Sequence, residues 1–206
     1  FKDTGATYPV VVDPLVEVQR ILASNGNDFD YVGWCSAVYD KFAVVGAPFK
    51  GRGYAYIFER DMLLGTWNEV EVIRGEDDGA QSDAEFGTSC DIAGTIDFGP
   101  GVTAFAVIGA PEDDRGTGSD PGAAYIYERD DFGDWSLAQQ IEASNPFSES
   151  EMGFGESVAI TSEGYVLVGA PDADWNGPGG CDSDRGAAYY FERNGSWTNT
   201  QTRGVT

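Results

Sequence analysis

The tripeptide Gly-Ala-Pro occurs three times, at 46–48, 109–111 and 169–171, about 60 residues apart. An apolar run precedes each: Phe42 to Val45, Phe105 to Ile108 and Tyr165 to Val168. A Gly-containing loop follows each, and then an aromatic segment, AYIFER (55–60), AYIYER (124–129) or AYYFER (188–193). Trp67, Trp135 and Trp197 come next. Upstream stand Val32-Gly33, Phe86-Gly87 and Phe154-Gly155. Each unit thus holds four short segments, rich in β-branched and aromatic residues and bounded by Gly, Asp, Asn or Pro. In the third unit they fall at about 154–160, 165–169, 186–192 and 197–202. No stretch shows a helical period. Four strands per unit at this period is the pattern of a β-propeller blade.

The expected fold is therefore all-β: three four-stranded antiparallel blades at about 31–73, 86–141 and 154–202, forming an incomplete or open ring. Residues Leu15 to Leu22 (LVEVQRIL) match the fourth strands WNEVEVI and WSLAQQI, so a surplus strand is expected at 15–22, in a propeller segment running over 15–206. Residues 1–14, with Pro9 and Pro14, read as an extended N-terminal arm. Closed propellers need about four to eight blades. Three blades and a strand suggest a piece of a longer propeller, a ring completed by other chains, or an open arc packed in a larger assembly. The first and third fit best, because an uncapped arc exposes apolar faces. The chain opens on Phe1, which suggests a removed leader or a fragment.

The pattern F-G-x-S, then V-G-A-P, then G-A-A-Y-x-[FY]-E-R, then W resembles FG-GAP repeats, the blades of integrin α-subunit-like propellers and of secreted bacterial and algal repeat proteins. The resemblance spans about 15–202. In the first copy, Val32-Gly33-Trp34-Cys35 stands for Phe-Gly-x-Ser. It implies a non-catalytic module for protein–protein interaction, adhesion or structural assembly, secreted, on a cell surface or in an organelle lumen. Its expected partners are other chains that complete or flank the open propeller.

Charge narrows the partners further. With 35 acidic and 12 basic residues the formal charge is −23. Nucleic acid and anionic membranes need Lys and Arg clusters and are excluded as partners. Cations, cationic partners or glycans fit better, and the bland alternative is that acidity only maintains solubility. No run reaches the roughly 18 apolar residues of a membrane helix. The chain has no His, which removes His-based triads and His-ligated zinc. A carboxylate-pair hydrolase is the remaining enzymatic alternative, and no pair stands out.

The third GAP loop holds Asp172, Asp174, Asn176 and Gly177, then Asp182 and Asp184. Alternating oxygen ligands before a Gly resemble the start of a calcium loop, which makes these five oxygen-bearing residues the candidate metal ligands of a calcium-dependent ligand- or carbohydrate-binding domain. The plain alternative is an Asx-turn loop. Glu112, Asp113, Asp114 and Asp120 in the second GAP loop lack the alternation, and Asn25, Asn27, Asp28 and Asp30 form a further weak candidate. Integrin-like propellers place calcium between first and second strands. Here those connections are short turns at Tyr39-Asp40 and Ser162-Glu163, or Asp97-Phe98-Gly99-Pro100, so the resemblance does not carry that site over. Asn194-Gly195-Ser196 is a glycosylation sequon at a hairpin turn. Cys35, Cys90 and Cys181 are expected to be unpaired, being odd in number and sparse. The Glu-Arg pairs 59–60, 128–129 and 192–193 are expected to join neighbouring blades or cover an edge.

Overall fold

A computed structural model describes residues 17–81, 83–94, 103–114, 121–143, 152–173, 175–177, 180–182, 186–194 and 196–202. The N-terminal arm, Asp97 to Pro100, Asp120, Asp174 and Asp184 lie outside the described residues.

Each repeat folds into one antiparallel sheet in simple meander order. Blade 1 comprises β1 (Ser36–Tyr39), β2 (Phe42–Ala47), β3 (Tyr54–Arg60) and β4 (Trp67–Arg74). Blade 2 comprises β5 (Ser89–Gly94), β6 (Ala104–Ala110), β7 (Ala123–Arg129) and β8 (Trp135–Ile141). Blade 3 comprises β9 (Ser157–Ile160), β10 (Tyr165–Ala170), β13 (Ala187–Asn194) and β14 (Ser196–Thr202). Between β10 and β13 the chain forms a small hairpin, β11 (Trp175–Gly177) with β12 (Gly180–Asp182). The repeat is kept in detail. A bulge falls between the third and fourth strands at Ile57/Phe58, at Ile126/Tyr127 and at Tyr190/Phe191, one equivalent step in every blade.

Strand alternation explains how the blades stack. Successive side chains leave a strand on opposite faces, and here both faces of the middle strands are apolar. Phe42, Val44, Ala55 and Ile57 pack forward onto Ile92, Ala104, Ala106, Ile108, Tyr125 and Tyr127 of blade 2. Phe105, Val107, Ala124 and Ile126 pack forward in the same way onto Ile160, Val166, Val168, Tyr189 and Phe191 of blade 3. Phe86 and Phe154, the aromatic residues of the Phe-Gly entries, are fully buried in these two cores. Each meets the tyrosines of its own blade edge-to-face, Phe86 with Tyr125 at 5.2 Å and Phe154 with Tyr189 at 5.2 Å. The GAP glycines permit this closeness: a Cβ on Gly109 would lie 2.0 Å from the Gly155 carbonyl oxygen, and one on Gly46 would lie 2.1 Å from that of Gly87.

Two expectations are corrected. Residues 17–23 form no strand. They lie against blade 1 without a backbone ladder, held where the Gln19 side-chain amide donates to Trp67 O (3.0 Å) and accepts from Trp67 N–H (2.9 Å). Ile21 and Ala23 pack on the back of blade 1 with Ala43, Tyr56 and Phe58. Among the described residues no strand pairs with this fourth-strand sequence, and only its packing is expressed. The second correction concerns cysteine: Cys35 and Cys90 form a disulfide, with Cα atoms 5.8 Å apart. Sparse spacing along the chain hid a pair that blade stacking brings together, since the two residues enter the adjacent first strands of blades 1 and 2.

Candidate functional site

The loops that follow each GAP, and those that enter each first strand, are built on one recurring backbone. Four residues after each repeat Gly stand Lys50, Asp113 and Ala173. Each donates its N–H to the GAP alanine carbonyl, and each accepts at its own carbonyl from Gly53, Gly122 or Gly186. The side chain at this equivalent point sets the local chemistry.

In blade 1, Lys50 turns inward. Its ammonium donates to Asp30 (2.5 Å) and to the Asn25 carbonyl (2.7 Å). Burial alone would raise the Asp30 carboxyl, but hydrogen bonds from Lys50 and the Asn27 N–H, with the Lys50 charge, hold it below the usual range. Tyr56 donates to Asn25 Oδ1 at 2.6 Å. Burial first, then the nearby charges of Asp30 and Glu69, push the Tyr56 phenol up to about 12, so it remains a donor at neutral pH. Of the candidate cation loop 25–30, Asn25, Asn27 and Asp30 are therefore engaged by the chain itself, with Lys50 supplying the positive charge.

In blade 2, Asp113 is fully buried and accepts from Tyr125 at 2.5 Å; Gln140 donates to the same phenol oxygen at 2.9 Å. Asp113 is thus a structural carboxylate that ties the second GAP loop to β7 and β8. In blade 3, Ala173 replaces it and is buried. Asp172 is exposed at the start of that loop. Asn176 and Asp182 sit in the small hairpin, across from Cys181 and Trp175 respectively. Asp174 and Asp184 lie outside the described residues, so the five sequence candidates are not seen assembled. Among the described residues, no three metal-ligating side chains converge. Asn194 ends β13 opposite Ser196, at the hairpin where the sequon was placed.

The Glu-Arg pairs bridge the blades as expected. Arg129 donates to Glu59 of blade 1 at 3.2 Å, and Arg193 donates to Glu128 of blade 2 at 2.8 Å. Each joint therefore sets the third-strand Glu of one blade against the third-strand Arg of the next. Lys41 adds a second cation to Glu59. The first-strand serine is a further link that sequence reading missed: Ser89 Oγ–H donates to the Gly155 carbonyl at 2.6 Å, across the second joint. Cys35 holds the equivalent place in blade 1, so the disulfide stands at the first joint where a hydroxyl contact stands at the second.

The repeat match comes from the same residues. The FG-GAP repeat family matches residues 15–58. Residues 15–58 are thus similar to an FG-GAP repeat. The matched stretch covers the entry loop, β1, β2 and most of β3, and blades 2 and 3 repeat that arrangement strand for strand. No curated protein is detectably similar to the chain. No helix among the described residues is long and apolar enough to cross a membrane.

Proposed function

We propose that this chain is a non-catalytic β-propeller section that works by protein–protein contact through its blade ends, as an adhesive or structural part of a larger extracellular or lumenal assembly. One observation carries the reading. The forward-face positions of β2 and β6 (Phe42 and Val44, Phe105 and Val107) are buried at the two internal joints. Their equivalents in blade 3, Tyr165 and Leu167, are 43% and 48% exposed. A face of the same apolar design is thus presented to a partner.

Charge supports the same direction. Glu192 stands on blade 3 where Glu59 and Glu128 hold the Arg of the following blade. At the opposite end Arg60 is exposed and lines a cleft of about 360 Å³ with Val18, Gln19, Ile21 and Trp67. Both ends therefore offer one half of the ion pair used inside. The disulfide fits an oxidising compartment, as secretion or an organelle lumen provides.

Sedimentation of the 206-residue chain tests the reading. It is expected to associate with itself or with a captured partner through blade 3, and Leu167→Asp should abolish the association while leaving the fold intact. A stable, compact monomer that binds nothing through this face overturns it.

A further inference from the structure

Four aromatic side chains stand exposed at one corner of blade 1: Phe29 (80%), Tyr31 (55%), Trp34 (53%) and Phe49 (44%). Three of them form a closed set of edge-to-face contacts. Ring centroids are 6.2 Å apart for Tyr31 and Trp34, 5.4 Å for Tyr31 and Phe49, and 5.1 Å for Trp34 and Phe49. Edge-to-face packing holds each ring in a set orientation. Clustered exposed apolar surface of this kind marks interaction sites on soluble proteins.

The other two blades show that the fold does not ask for these aromatics. The backbone repeats closely: φ is 68° at Phe29 and 66° at Asp83, and 53° at Tyr31, 53° at Glu85 and 63° at Gly153. The equivalents of Trp34 are Thr88 and Glu156, and those of Phe49 are Glu112 and Asp172. Blades 2 and 3 thus fill the same places with acids, Thr and Gly. Positive φ is tolerated by Gly and by Asp, and is costly for bulky residues. Blade 1 places a bulky ring at the positive φ of Phe29, where blade 2 has Asp83, and leaves all four rings exposed, so these side chains serve something other than folding.

The substitution also selects the ligand. Acidic residues that line this face on blades 2 and 3 are removed at the corner and replaced by uncharged rings. A cationic ligand would favour the acidic blades, and a polyanion is repelled by a chain of charge −23. An uncharged ligand fits the rings: flat C–H faces can stack on them, and hydroxyls can meet the exposed polar groups of Asn27 and Asp28, which precede Phe29. We infer that this corner is a binding platform for a neutral glycan, with Trp34 and Phe49 as the stacking rings. The inference stands apart from the blade-end contacts, since the platform lies on the entry and GAP loops.

Isothermal titration with cellohexaose, laminarihexaose, mannohexaose and chitohexaose tests it, with hexa-arginine as the charged comparison. At least one neutral hexasaccharide is expected to bind saturably and to shift the Trp34 indole N–H resonance. Trp34→Thr and Phe49→Glu, the residues blade 2 itself uses, should each weaken binding about tenfold, near the worth of one ring contact. Phe132→Ser, in the exposed turn between β7 and β8 of blade 2, should leave binding unchanged. Failure of all four sugars to bind, binding that survives both substitutions, or hexa-arginine bound at this corner in their place overturns the inference.

Discussion

Removing the Cys35–Cys90 bridge should cost a large share of the stability of blades 1 and 2. The replacement Cys35→Ser with Cys90→Val isolates the cross-link, because the repeat itself places Ser89 and Ser157 at the first position and Val158 at the second. Neither side chain is therefore foreign to its site. The bridge spans 55 residues of sequence. Closing a loop of that size lowers the entropy of the unfolded chain by an amount worth about 4 kcal/mol at 25 °C. With a urea slope of roughly 2–3 kcal/mol/M, the midpoint should fall by roughly 1.5–2 M. Equilibrium urea unfolding followed by tryptophan fluorescence measures it. Dithiothreitol should reproduce the loss in the native sequence and do nothing further to the variant. A shift under about 0.5 M, or one that reductant does not match, refutes the reasoning. It would mean that the blade 1–blade 2 core, not the cross-link, limits the unfolded ensemble.

Further outcomes follow from the joints. Gly109→Ala must push a methyl into the Gly155 carbonyl at 2.0 Å and should destabilise by more than about 3 kcal/mol in thermal melts. Gly26→Ala, whose nearest contact would be 3.6 Å away, should change stability by less than about 0.5 kcal/mol, and equal effects at the two sites would contradict the close-approach argument. A double-mutant cycle on Glu128 and Arg193 should give a coupling of about 1 kcal/mol, and zero coupling would show that the contact carries no energetic weight. Burial, then the charges of Glu156 and Asp83, raise the Glu85 carboxyl above its ordinary range. A group whose pKa is raised on folding contributes fully below its unfolded pKa and loses that contribution as pH rises through the folded value. Stability should therefore fall as pH climbs past the usual glutamate range, and Glu85→Gln should be the more stable form at pH 7 and flatten that fall. An unchanged pH profile would rule out that burial and the neighbouring charges raise this carboxyl.

Much of this protein is written locally. Gly-Ala-Pro ends the second strand, alternating apolar residues make both faces of the middle strands sticky, and the Gly before each first strand takes positive φ, at 101°, 97° and 104° for Gly33, Gly87 and Gly155. Those features are short-range, so the sequence alone determines three four-stranded blades and their order, while for the Glu-Arg pairs it left open joining blades or covering an edge, and the stacked blades decide for joining. Features that depend on one blade meeting another were not legible. The Cys35–Cys90 bridge joins residues of different repeats, and Ser89 reaches a carbonyl of the next blade. Asp113 reads as a spare loop acid until Tyr125 is seen above it. The segment at 17–23 carries a strand sequence but no ladder, because a strand exists only where a neighbour supplies its hydrogen bonds. The aromatic corner is the clearest case. Phe29, Tyr31 and Trp34 share the entry loop, but Phe49 stands in the GAP loop beyond β1 and β2, and only the stacking of one loop on the other turns them into a single exposed surface.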